Sequence, residues 1–153
     1  MRGSVVGMVV AIIVAFISLI LLPAYFIGII NWRTDMNTCQ NCARNFVDMV
    51  IDNGQITDRA LSDLNLGLAS CSSTFTYEVY KEERVTNPDP ANPGKIKIEW
   101  VTVDLDSSTV WNTGDLVTIV ITQKDRNIFQ RISSMMIGMS YNNMEVRLTG
   151  MVR

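Results

Sequence analysis

The sequence has no histidine among its 153 residues. That excludes Ser-His-Asp and Cys-His catalysis and every histidine-ligated metal. Charge is scarce too. Asp, Glu, Lys and Arg make up 18 % of the chain, while its apolar share of 48 % is ordinary. A net charge of −2 offers no clustered basic face, so nucleic acid is not an expected partner. The scarcity is uneven: no charged residue occurs from Val5 to Ile30, and every Asp and Glu lies beyond that run. This composition points to a membrane-anchored structural or binding module rather than an enzyme, with no cofactor expected.

The uncharged run predicts a helix. At 1.5 Å per residue it reaches roughly 39 Å, more than the ~30 Å hydrocarbon core of a bilayer. A cleaved secretory signal has a shorter apolar region and then a small-residue cleavage site. Neither feature is found here, so a retained single span through membrane lipid is expected. Arg2 gives a short positive N-terminus, and Arg33 is balanced by Asp35 beyond the run. That bias favours the N-terminus inside and the remaining chain extracytoplasmic. Tyr25 and Trp32 suit the outer interface, where amphipathic rings sit well. Pro23 predicts a kink, because it removes a backbone donor and crowds the preceding turn, and Gly28 is expected to loosen the turn after it. Gly7, Ala11, Ala15 and Ser18 place small side chains at helical spacing, which permits close approach of a second helix.

Past the membrane the helical period continues. Ala43, Phe46, Val47, Val50 and Ile51 recur every three or four residues, and Asn53-Gly54 supplies a stop. Thr57 reads as the N-cap of a second short helix with Leu61, Leu64 and Leu68 in one stripe. After Cys71 the period changes to two. Phe75, Tyr77 and Val79 begin a strand, and residues 87–94, rich in proline and asparagine, predict a loop. A second strand is expected from Lys95 to Leu105, with Ile96, Ile98 and Trp100 on one face. A third runs from Asp115 to Thr122 and a fourth from Met144 to Val152. Between those last two, Ile128, Ile132, Met135, Met136 and Met139 fall on one helical face and read as core. The expected fold class is α+β: a transmembrane helix over 1–32, a helical continuation and short second helix over 33–71, and a small, mostly antiparallel sheet over 72–153.

Three cysteines are present: Cys39, Cys42 and Cys71. A structural zinc needs four ligands, and neither a fourth cysteine nor a histidine exists to complete it. Cys39-x-x-Cys42 resembles a redox half-site but lacks the strand-to-helix setting of a thioredoxin-like motif. In an extracytoplasmic domain a Cys42–Cys71 disulfide would clamp the long helix to the sheet. Free thiols and a bridge between two subunits remain open alternatives. Asp104, Asp106 and Asp115 lack the full spacing of a calcium loop and read as solvated turns. No nucleophile–base pair stands out.

Val9-Val10-Ala11-Ile12-Ile13 followed by Leu22-Pro23-Ala24-Tyr25 is similar to the N-terminal helix of bacterial type IV pilins, which is apolar and carries a proline near its middle. The distal half resembles TadE-type pseudopilins of tight-adherence pili. Gly114-Asp115-Leu116-Val117-Thr118-Ile119-Val120-Ile121 has the form of their Gly-Asp strand, followed by an apolar stretch from Phe129 to Met139 and a last strand from Glu145 to Arg153. The resemblance implies a non-enzymatic subunit, held in the cytoplasmic membrane and built into an extracytoplasmic filament or secretion pseudopilus. Its implied partners are copies of itself or other pilin-like subunits, met through the N-terminal helix, and an assembly machinery. Arg2-Gly3 would be a minimal leader, cut between Gly3 and Ser4. The fifth residue of the processed chain would then be Met8, where pilins carry Glu. That departure favours a minor or initiating subunit over the major one. The alternative is a single-pass protein whose outer domain binds a partner without polymerising.

Overall fold

The computed structural model describes residues 2–92, 94–106, 109–138 and 142–153; the side chains of residues 2–4, 136 and 137 are not among those described. Helix α1 runs unbroken from Arg2 to Asn53, with Pro23 inside it. Its 52 residues span about 78 Å at 1.5 Å each. It stops because Gly54 adopts φ +64°, the left-handed conformation, and its N–H closes on the Val50 carbonyl at 2.8 Å.

Helix α2, Asp58–Ala69, begins at Thr57, whose hydroxyl accepts the Ala60 N–H at 3.2 Å. Ala60, Leu64 and Leu68 are buried in the core they share with α1. Gly67 sets the approach of the two helices: a Cβ there would collide with Cys42 Sγ.

Four strands follow, β1 (Phe75–Pro88), β2 (Ile96–Val103), β3 (Leu116–Gln123) and β4 (Glu145–Met151). They form one antiparallel sheet in the order β2-β1-β3-β4, so the protein is α+β. The two neighbours of β1 flank different halves of it. Phe75 to Glu82 pair with β3, and Lys81 to Pro88 pair with β2. The β1–β2 hairpin therefore projects past β3.

Alternation sends Val117, Ile119 and Ile121 of β3 to the inner face, all fully buried, with Val146 of β4 beside them. The C-terminal half of α1 lies across this face and contributes Cys39, Ala43, Phe46, Val47 and Val50 to the same core. Each large apolar side chain buried there stabilises the fold by roughly 1.5–3 kcal/mol. Gly150 of β4 permits the contact, because a Cβ there would meet Val47 at 2.5 Å and Ile51 at 2.7 Å.

Helix α3, Ile128–Ile137, joins β3 to β4. It opens with a capping box: Asn127 Oδ1 accepts the Gln130 N–H at 2.9 Å, and Gln130 Oε1 accepts the Asn127 N–H at 2.8 Å.

Two expectations need correction, and a third is completed by the structure. Asn87 and Pro88 belong to β1, paired with Lys97 and Ile96, rather than to the loop. On the other side the pairing with β3 stops at Glu82, so the donor that proline lacks is not needed there. Secondly, Ile96, Ile98 and Trp100 share a face of β2 as expected; that face points away from α1, and they are 72 %, 49 % and 41 % exposed. Thirdly, the buried face of α3 is Phe129, Gln130 and Ser133, while Ile128 and Met135 stand exposed. Met139 lies outside the described residues.

Buried glutamines explain the correction at α3. Gln123 Nε2 donates to Gln130 Oε1 at 3.0 Å, and Gln130 Nε2 returns the bond to Gln123 Oε1 at 3.1 Å. The Met144 N–H donates to the same Gln123 oxygen at 3.0 Å. This paired amide network fixes which side of α3 meets the sheet, and an apolar stripe does not.

Candidate functional site

The apolar half of α1 is bare. It is the one helix among the described residues long and apolar enough to cross a membrane, and none of its most apolar stretch is buried against the rest of the chain. Val5, Val9, Ile12, Phe16, Leu19 and Ile20 are each about half exposed or more. On this half Gly7, Ala11 and Ala15 are exposed and Ser18 is half-buried, so the small-residue face is free of tertiary contacts apart from neighbours along the helix. A Cβ added at Gly7 would meet nothing. The expected cut between Gly3 and Ser4 falls among side chains outside those described.

Tertiary contacts along α1 begin around Tyr25 and close most tightly at Gly28, which is buried beneath α3. A Cβ at Gly28 would lie 2.8 Å from both the Cβ and the backbone N of Phe129. Here the glycine serves close packing rather than a loosened turn. Tyr25 and Trp32 flank it, with ring centroids 5.2 Å and 6.1 Å from that of Phe129. The two rings expected at an interface thus also seat α3.

One turn further on, Asp35 is 2 % exposed. Its Oδ1 accepts the Ser72 N–H at 2.8 Å; its Oδ2 accepts the Ser72 hydroxyl at 2.8 Å and the Ser73 N–H at 3.1 Å. These donors belong to the chain leaving α2 and entering β1. Sequence reading treated Asp35 only as a flanking charge. Its signal was an acid two residues beyond Arg33 with no basic neighbour on its own helical face, which is a weak one.

The three cysteines gather near Asp35. All are free thiols. Cys39 is fully buried and hydrogen-bonds with Cys71. Burial raises the pKa of Cys39 above that of an ordinary thiol, and the charges of Cys71, Cys42 and Asp35 add to it. Burial also raises Cys42 and Cys71. Among the described residues no group of three or more Cys, Asp or Glu side chains is arranged to hold a metal ion.

The acidic trio of the sequence does not converge either. Asp106 accepts the Thr109 hydroxyl at 2.9 Å within its own turn. Asp115 meets buried Lys81, whose Nζ lies 3.2 Å from Asp115 Oδ2 and 2.7 Å from Glu83 Oε1 and also donates to the Val110 carbonyl at 2.7 Å. Burial alone would lower the Lys81 pKa, but these bonds outweigh it and raise it. The cluster anchors the 104–115 connection to the sheet.

A rigid rod carries a small domain on one end and an uncovered apolar surface on the other, with α3 and Asp35 fixing the junction. Compared with known proteins, the chain matches no family model, no curated protein and no solved structure.

Proposed function

We propose that this chain is a non-enzymatic, membrane-anchored pilin-like subunit, a minor or initiating component of an extracytoplasmic filament or pilus-like secretion assembly. The observation that carries this reading is the division of α1. One continuous helix is core for the outer domain over its distal half and has no partner at all from Val5 to Leu22. A lipid bilayer satisfies such a surface, and so does a bundle of like helices. Only a helix continuous with its domain carries that domain along when it passes from one to the other. Gly7, Ala11, Ala15 and Ser18 supply the face on which backbones can approach closely. In this role the assembly partners are copies of the chain or related subunits, with the outer domain extracytoplasmic.

A second reading rests on β2. Ile96, Ile98 and Trp100 form an exposed apolar ladder on the projecting hairpin, as expected of an anchored module that binds a protein partner and does not polymerise.

Shearing the source cells and analysing filaments and washed membranes by mass spectrometry separates the two. Recovery in the sheared filaments, with an N-terminus at Ser4, is the outcome expected of a pilin-like subunit. Recovery in membranes alone, with Met1 to Gly3 retained, rules out polymerisation as the main role under those conditions and leaves the anchored module.

A further inference from the structure

Helix α3 carries two faces. Phe129, Gln130 and Ser133 are buried against Gly28 and the sheet. Ile128, Arg131, Ile132 and Met135 share the other face, where Ile128 is 57 % and Met135 86 % exposed. Lys124 and Arg126 stand just before it, also exposed. Asp125 is the one acid in this segment, so it carries a net charge of +2. A groove of about 480 Å³ lies between α3 and α1, with Ala24, Ile27 and Ile128 as apolar lining, Arg126 and Arg131 at its edge, and no acidic side chain in its wall.

The position of this groove along α1 determines what meets it. A hydrocarbon core of ~30 Å takes up about 20 residues of helix, from Val5 to about Ala24. Headgroup layers add roughly 5–8 Å on each side, or about four to five residues. Tyr25 to Gly28 therefore fall at headgroup depth, and α3 is packed onto Gly28. The apolar surface of α1 is continuous with the groove through Ile27, which is 57 % exposed.

We propose that α3 is a membrane-surface helix: its outer face rests in the headgroup layer, with Ile128, Ile132 and Met135 dipping toward the acyl chains and Arg126 and Arg131 holding the phosphates of anionic phospholipids. The proposal rests on the reading of α1 as a transmembrane span. It accounts for an apolar face turned away from the core, bordered by cations and placed at this depth. The contact gives the domain a second attachment to the bilayer and so a fixed orientation on it. During assembly this attachment must be released together with the span.

Photocrosslinking of the full chain in vesicles of phosphatidylcholine and phosphatidylglycerol tests it. A benzophenone amino acid replaces Leu19, Ile98 or Met135 in turn, all exposed positions that leave the fold intact. Lipid adducts are expected at 19 and 135, and not at 98. Phosphatidylglycerol should be enriched several-fold over its bulk share among the adducts at 135, and Arg126→Gln with Arg131→Gln should abolish that enrichment. Lipid adducts at 19, with a yield at 135 no higher than at 98, overturn the proposal and leave the span standing. Capture of a second copy of the chain at 135 instead of lipid also overturns it. Absence of lipid adducts at 19 overturns the span, and this inference with it.

Discussion

Phe129 closes over Gly28 so tightly that a single methyl group has no room: a Cβ at Gly28 would stand 2.8 Å from the Phe129 Cβ and backbone nitrogen. The contact joins α1, just past its most apolar stretch, to the connection between β3 and β4, and so ties the orientation of the sheet domain to the axis of α1.

Gly28→Ala should therefore act as an overpacking substitution and destabilise the α1–α3 contact by about 1–3 kcal/mol. Faster hydrogen exchange at α3 amides is the direct readout. Trp32 fluorescence should change as well, since its ring packs on Phe129. Membrane insertion should be unaffected, because the apolar stretch before Gly28 is unaltered. Unchanged exchange at α3 would show that the helix accommodates the methyl group and that the close approach carries no energetic weight.

Asp35 makes a second junction, between α1 and the turn from α2 into β1. Asp35→Ala removes the acceptor for two backbone N–H groups and one hydroxyl. A buried donor left unsatisfied costs roughly 1–3 kcal/mol. The variant should lose about 3 kcal/mol in denaturant unfolding of detergent-solubilised protein. Asp35→Asn keeps one acceptor oxygen and should lose less. Equal losses in the two variants would mean that the carboxylate acts through its charge rather than as an acceptor.

The thiols predict a pH dependence. Raised folded-state pKa values keep Cys39, and to a lesser degree Cys42 and Cys71, protonated where an unfolded thiol ionises, near its ordinary 9.0. Below that value both states hold the proton and the thiols add no slope. As pH rises through it, the unfolded state alone releases protons, so stability falls, by up to about 1.4 kcal/mol per pH unit for a fully protected thiol. Unfolding midpoints at about pH 7 and pH 10 should show this loss, and Cys39→Ala should reduce it. Maleimide should label Cys39 only on unfolding. Rapid labelling of Cys39 in the folded chain would contradict its burial.

How much of this was legible in the sequence follows from how local each signal was. Asn53-Gly54 and the Thr57 cap were readable because a helix terminus is decided within one turn. The β3 face of Val117, Ile119 and Ile121 was readable because a period of two survives wherever one side is buried. The face of α3 was not. Its core side uses the polar residues Gln130 and Ser133; Gln130 pairs with Gln123 seven residues earlier, and hydropathy periodicity carries no record of a partner. Asp35 was missed for the same reason: its donors lie 37 and 38 residues away. In both cases the residue that decides the packing is polar, and its partner is set by topology.

The small-residue face of the span makes the last prediction. Gly7 and Ala11 stand one helical turn apart and exposed, and a Cβ at Gly7 meets nothing within the chain. Gly7→Leu and Ala11→Leu therefore should not disturb the fold of the outer domain, and both raise the hydropathy of the span. Insertion into membranes should be unchanged or improved. Close helix–helix approach depends on small residues at such positions, since lipid and leucine are equally apolar and contact distance decides the association. Each variant should thus reduce the amount of chain recovered in sheared filaments while the membrane pool holds constant or grows. The measurement is the ratio of the two pools by quantitative mass spectrometry, with Leu19→Ile as a control of unchanged size. If both leucine variants enter filaments at the wild-type ratio, assembly does not use this face, and the helix contact must lie on another side of the span.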